Sequence, residues 1–206
     1  MSQPFLELLS AQGIARRGHF RLESGHHGDV WLDLDALFRS PALLRPFIDS
    51  LASGLVKACA KRSSSIEAVC GPLTGGAFLA YAIAAALEVG FYYTIRQVPP
   101  QPQALYAVPY RLPQGLRQAV RGKRVVIVDD AINAGSAVRG TLAELRTCGA
   151  LPLAVGALLV LGQAAPDFFA GQALPLVCVV DFPANLWLPE ACPLCASQTP
   201  LEDLLV

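Results

Sequence analysis

Apolar residues recur along this chain with two different periods, and their order predicts alternating strands and helices. Residues 4–12 keep helical spacing, and residues 19–25 and 29–35 alternate like two strands around the turn signal Ser24-Gly25-His26-His27-Gly28. Ser40-Pro41 then opens a helix as N-cap and first-turn proline, with Leu44, Phe47, Ile48, Leu51, Leu55 and Val56 on one face through about Lys61. Beyond it the pattern predicts strands at 66–70, 90–96, 123–129, 153–161 and 174–181, with helices at 76–88 and 136–148. Such alternation implies an α/β fold with a parallel sheet, whose ligands bind at the carboxyl ends of the strands. The loops after residues 70, 96 and 129 are therefore where function is expected.

Two stretches break the pattern. Residues 97–121 carry Pro99, Pro100, Pro102, Pro109 and Pro113, too many for an ordinary connection, and are expected to form a mobile flap or extended arm. Residues 182–206 depart from the α/β alternation and are expected to be a surface-packed extension. The organisation read from this is a single domain: an N-terminal hairpin hood over 1–40, a core over 41–181 and the extension.

Composition sharpens the picture. Hydrophobic residues make up 53% and charged residues only 16%, so much of the surface must be covered, which predicts a homodimer. Basic and acidic residues balance at 16 each, which argues against nucleic acid as a partner. Two windows, 68–87 and 147–166, lack charge for the length of a membrane span. Turn residues inside both argue for buried strands instead. The first ten residues lack the basic start of a secretory signal, so a cytoplasmic protein is expected. Six scattered cysteines fit a reducing compartment.

The chemistry concentrates in Val125–Ala137, VVIVDDAINAGSA. An apolar strand ends in two carboxylates, Asp129 and Asp130. The small-residue loop Ala131-Ile132-Asn133-Ala134-Gly135 follows, and a helix begins at Ser136. Small residues let backbone N–H groups close on a phosphate, and the helix N-terminus adds unsatisfied donors and positive dipole. Ser136 adds a hydroxyl. Carboxylates beside a phosphate need something between them, and a ribose with its hydroxyls and a hydrated magnesium ion answers that need.

This segment resembles the 5-phosphoribosyl-1-pyrophosphate (PRPP) motif of the type I phosphoribosyltransferases, and its Ala-Gly-Ser-Ala ending is most similar to the orotate phosphoribosyltransferase version. The likeness extends to GHFRLESGHHGDVWLD at 18–33, similar to their N-terminal hairpin, and to GPLTGGAFLAYAIAAALEVG at 71–90, similar to their pyrophosphate loop and following helix. The resemblance implies a Rossmann-like parallel sheet flanked by helices. It also implies transfer of a phosphoribosyl group from PRPP to a nitrogenous base with release of pyrophosphate. Asp129 and Asp130 would be catalytic and hold the ribose hydroxyls, with magnesium carried by PRPP and bound to them through water. Ala131, Asn133, Ala134, Gly135, Ser136 and Ala137 would bind the 5-phosphate. Leu73, Thr74, Gly75, Gly76 and Arg96 would bind pyrophosphate.

The chain departs from that family where cations are expected. Glu23 and Gly75 stand at lysine positions, the flap reads Gln97-Val98-Pro99-Pro100-Gln101-Pro102, and residues 159–163 are LVLGQ instead of carrying an Asp-Arg pair. Arg111 and Arg117 are candidates to restore the charge. These losses keep open a second class of function, a non-catalytic PRPP-binding sensor. His19, His26 and His27 are expected to be exposed near the hairpin turn, and Trp31 and Trp187 to be core or interface anchors. Cys192 and Cys195 offer half a zinc site and are expected to be reduced, structural cysteines unless a second chain supplies two more ligands.

Overall fold

A computed structural model describes residues 2–97 and 108–204. Its elements are α1 (Ser2–Ala11), β1 (Ala15–Arg21), β2 (His27–Leu32), α2 (Asp35–Phe38), α3 (Pro41–Ala60), β3 (Ala68–Pro72), α4 (Gly75–Leu87), β4 (Gly90–Arg96), β5 (Tyr110–Arg111), α5 (Gln114–Arg117) and β6 (Arg124–Ile132), followed by α6 (Ser136–Thr147), β7 (Leu151–Leu161), α7 (Ala164–Gly171), β8 (Leu176–Phe182), β9 (Leu186–Trp187), α8 (Pro193–Ala196) and β10 (Glu202–Asp203).

The principal sheet has the order β5-β4-β3-β6-β7-β8. Strands β4, β3, β6, β7 and β8 run parallel, and only β5 is antiparallel to its neighbour. Strand β6 shows why. Val126 and Val128 pack with α3 and α4 on one face, while Val125 and Ile127 pack with Val138, Leu142 and Leu145 of α6 on the other. A strand buried on both faces needs the unbroken β-branched run VVIV, and each such side chain contributes about 1.5–3 kcal/mol on burial. The charge-free window at 68–87 becomes β3, a turn and α4. Among the described residues no helix is long and apolar enough to cross a membrane.

A second sheet, β10-β1-β2-β9, caps this core. Its middle is the expected hairpin, but β1 and β2 begin four and two residues earlier than the alternation suggested, because the exposed Arg16 and Arg17 disguise the first strand. The turn is confined to residues 22–26, with Gly25 at φ 83°. His27 and Gly28 belong to β2. Its edges come from the other end of the chain. β10 pairs parallel with β1 and β9 antiparallel with β2. The tail is therefore more than a surface extension.

Three further expectations change. His19, His26 and His27 are buried, at 1%, 7% and 6% exposure, because the tail covers the hairpin. Helix α7 has no counterpart in the predicted elements, since eight residues containing Pro166 show too little periodicity. Of the expected mobile loop, 98–107 lies outside the described residues, and 108–121 is packed: Tyr110, Leu112 and Val120 are buried. Glu144 of α6 anchors this segment, accepting hydrogen bonds from Arg111 at 2.7 Å, Arg117 at 2.5 Å and the Leu112 N–H at 3.2 Å.

Candidate active site

The cleft lies at the carboxyl ends of β3, β4 and β6. Strand β6 delivers Asp129, which is buried, and Asp130, which is half-buried. Each carboxylate caps the backbone beyond it: Asp129 Oδ1 accepts from the Asp130 N–H at 3.1 Å, and Asp130 Oδ1 from the Ala131 N–H at 2.8 Å. Burial pushes the Asp129 carboxyl well above the usual carboxylate range, and the charges of Asp130 and Glu23 push it the same way. Asp130 is raised too, chiefly by burial. Two carboxyls so placed repel each other until a donor or cation arrives.

The start of α4 forms the opposite wall. A Cβ on Gly75 would overlap the Asp130 carboxylate, and one on Gly76 would lie 2.5 Å from Asp129 Oδ1. Gly75, which replaces a lysine expected from the resemblance, is therefore a steric requirement of this arrangement. Leu73 is exposed and donates its N–H to the Thr94 carbonyl at 2.8 Å, while the Thr74 carbonyl accepts from Ala77 at 3.1 Å.

On the other side of the aspartates the chain leaves β6, turns through Asn133 and Ala134, and reaches Gly135 at φ 83°, the left-handed conformation that admits glycine. Ser136 starts α6. A cavity of about 180 Å³ opens here, lined by Asp129, residues 131–138, and Leu22, Glu23, Ser24 and Trp31 from the hood. All the expected 5-phosphate residues surround it. The expected pyrophosphate residues do not line it. Gly75 and Gly76 lie behind the aspartates, and Arg96, at the end of β4, is linked to the cavity through Glu23.

Glu23 is the group that local sequence patterns did not position. Its Oε2 accepts from Ser136 Oγ at 2.8 Å, and its Oε1 accepts from Tyr110 Oη at 2.8 Å and pairs with Arg96 Nε at 2.7 Å. Burial and the Glu23 charge raise the Tyr110 phenol above its ordinary value, so it stays a donor. The hood thus brings a carboxylate onto the hydroxyl and guanidinium expected to hold anions. Among the described residues no cationic side chain lines the cavity, and Arg111 and Arg117 are held by Glu144.

A family model described as the phosphoribosyl transferase domain matches residues 35–168. The chain belongs to that family. Among its phosphoribosyltransferase relatives, an orotate phosphoribosyltransferase from Caldanaerobacter subterraneus subsp. tengcongensis is 27% identical over 199 residues, 95% of this chain and 93% of that protein. One from Carboxydothermus hydrogenoformans is 29% identical over 186 residues, 89% of this chain and 87% of its own length. The crystal structure of orotate phosphoribosyltransferase from Aeropyrum pernix is similar with a TM-score of 0.63 at 26% identity, covering 85% of this chain and 92% of that one. The α/β architecture and the resemblance read from the PRPP motif both agree with these phosphoribosyltransferase relatives.

Proposed function

We propose that this protein binds PRPP at the carboxyl ends of β3, β4 and β6 and transfers its phosphoribosyl group to a nitrogenous base. The observation that carries this reading is the pair Asp129 and Asp130, set between the Gly75-Gly76 wall and the loop that opens α6. The 5-phosphate occupies the cavity, taking donors from the backbone of 131–137 and from Ser136 once Glu23 withdraws. Ribose hydroxyls donate to the two carboxylates. As the base nitrogen bonds to the anomeric carbon, the bond from that carbon to the pyrophosphate oxygen breaks, the electron pair leaves with pyrophosphate, and the proton of the base N–H passes to the departing pyrophosphate. Asp129 and Asp130 favour the positive charge that develops on the ribose, and Arg96, freed from Glu23, draws the departing anion.

Magnesium carried by PRPP fits the donor set, because Asp129 and Asp130 are hard oxygen ligands whose mutual repulsion a cation relieves. When bound, it neutralises charge on the pyrophosphate.

A homodimer is part of the same reading. Leu73, Phe78 and Tyr81 are 44%, 50% and 64% exposed around an apolar groove of about 670 Å³. A second copy of the chain would cover such a face.

Glu23 supports a second reading. With Ser136 and Arg96 both held by an internal carboxylate, a module that binds PRPP as a signal without transferring it would look the same. Incubation of the protein with PRPP, magnesium and each free base, monitored for pyrophosphate, decides between the two. Pyrophosphate release with any base supports transfer; PRPP binding without release supports the sensor; no PRPP binding removes both.

A further inference from the structure

Away from the cleft, the hood and the tail bring together four side chains that the proposed reaction does not use. His19 lies near the end of β1 and His27 at the start of β2, with their rings edge to face at 4.9 Å between centroids. Cys192 precedes α8 and Cys195 lies within it, so that Cys-Pro-Leu-Cys spans a single turn. One ligand atom from each residue lies within 4.8 Å of all the others. His19 Nε2 is 3.1 Å from His27 Nδ1, 3.4 Å from Cys192 Sγ and 3.7 Å from Cys195 Sγ, and Cys195 Sγ is 3.3 Å from His27 Nδ1.

These separations, 3.1–3.7 Å, are close to those of a coordination shell. With Zn–S of about 2.3 Å and Zn–N of about 2.0–2.1 Å, neighbouring ligand atoms of a tetrahedral site stand about 3.3–3.8 Å apart. The second coordination layer is in place as well. His19 Nδ1 is 2.9 Å from the Thr199 carbonyl, which can only accept. In the neutral ring Nδ1 therefore carries the proton and Nε2 turns its lone pair to the cluster. Without a metal, three groups crowd that single lone pair. Charge also closes: two cysteines that lose their protons and two neutral histidines make a neutral complex with a divalent ion, so burial costs little.

We propose that His19, His27, Cys192 and Cys195 form a structural zinc site within one chain. Two thiolates with two imidazoles in a closed tetrahedron select zinc among common divalent ions. The ion staples the hairpin to a segment 173 residues further on. It also fixes both ends of the turn that carries Glu23 and Ser24 to the cavity, so zinc sets where that wall stands. From sequence, Cys192 and Cys195 are expected to be reduced, structural cysteines, with zinc only where a second chain completes the site. The buried histidines supply the missing half instead.

Stoichiometry separates the possibilities. Full-length protein made without a metal-binding tag should carry close to one zinc per chain by elemental analysis. Cobalt substitution should give the visible absorption of a tetrahedral ion and a sulfur-to-metal charge-transfer band. Cys195→Ser, at an exposed position, should keep the far-ultraviolet circular dichroism of the folded chain and lower zinc affinity by more than the roughly 10- to 100-fold lost with an outer-layer partner. His27→Gln should do the same, and Cys178→Ser, elsewhere on the surface, should change nothing. Chelation should lower Tm by several degrees.

Half a zinc per chain would overturn the intrachain site, as would a folded, reduced chain that binds neither zinc nor cobalt. Zinc retained undiminished by both Cys195→Ser and His27→Gln would also overturn it, and a Tm indifferent to chelation would overturn the stapling role. Every readout is taken without PRPP, so failure here leaves the phosphoribosyl reading standing, and failure of PRPP binding leaves the zinc site standing.

Discussion

Glu23 accepts a hydrogen bond from Ser136 at 2.8 Å across 113 residues of sequence. The hydroxyl at the head of α6 is thus already bound to an anion, and any phosphate that enters must displace it. Glu23→Gln keeps the shape and removes the charge. PRPP affinity measured by calorimetry should rise about tenfold, on the order of 1.4 kcal/mol. An unchanged or weaker affinity would show that the phosphate does not meet Glu23.

Asp129 should trade stability for function. Its carboxyl is raised by burial and by Asp130, so the folded state holds a proton that the unfolded state releases. Stability therefore falls as pH rises above the ordinary carboxyl range, until the raised pKa is passed. Asp129→Asn should raise Tm by a few degrees at neutral pH, flatten that dependence and abolish PRPP binding. Thermal melts across pH, paired with calorimetry, check both halves.

Glu144 works in the opposite sense. Burial alone would raise its carboxyl, but hydrogen bonds from Arg111 and the Leu112 N–H, with the charge of Arg117, hold it below the usual range. Its contribution is complete above the ordinary glutamate pKa and is lost as pH falls through the lowered one. Glu144→Gln should cost about 2 kcal/mol at neutral pH, discounted for the partly exposed arginines. Urea denaturation should show that loss shrinking in acid.

Substrate preference follows from the missing cations. Glu23 puts a negative charge where the resemblance leads one to expect a lysine, and Arg111 and Arg117 are held by Glu144. Among the described residues a base that carries its own carboxylate is thus offered repulsion in place of a cation, and an unpaired buried charge costs several kcal/mol. Orotate should be a poor substrate beside uracil, adenine, guanine or hypoxanthine. Steady-state kinetics with orotate ahead of all of them would refute this.

The apolar face gives a fifth measurable consequence. Light scattering at micromolar concentration should report a dimer, and Tyr81→Glu, at the most exposed of the three side chains named around the groove, should yield monomers without lowering helix content. A monomeric parent protein would remove the second copy from the proposal.

The sequence displays its core openly because β6 and α6 are specified locally. VVIV can only be a doubly buried strand, and Asp129-Asp130 followed by small residues marks where it must stop. Gly75 was harder, since a glycine in place of a lysine reads as a loss until the Asp130 carboxylate is seen resting where its Cβ would be. Nothing in the local pattern joins Glu23 to Ser136 or His19 to Cys192, because those pairs depend on how the hood docks. The histidines looked exposed for the same reason: beside a turn signal they are ordinary surface residues, and only β9, β10 and α8 bury them.

The bracketing of the hairpin by β9 and β10 also dictates an order of events as the protein is made. Arg16 of β1 must await Glu202, which a ribosome adds 186 residues later. By then the strands and helices holding Asp129, Asp130 and Ser136 have all been synthesised, and domains tend to fold as their segments emerge. A nascent chain therefore has its aspartate pair and α6 before it can fasten the wall that carries Glu23, and that wall is the last part of the cleft to be secured.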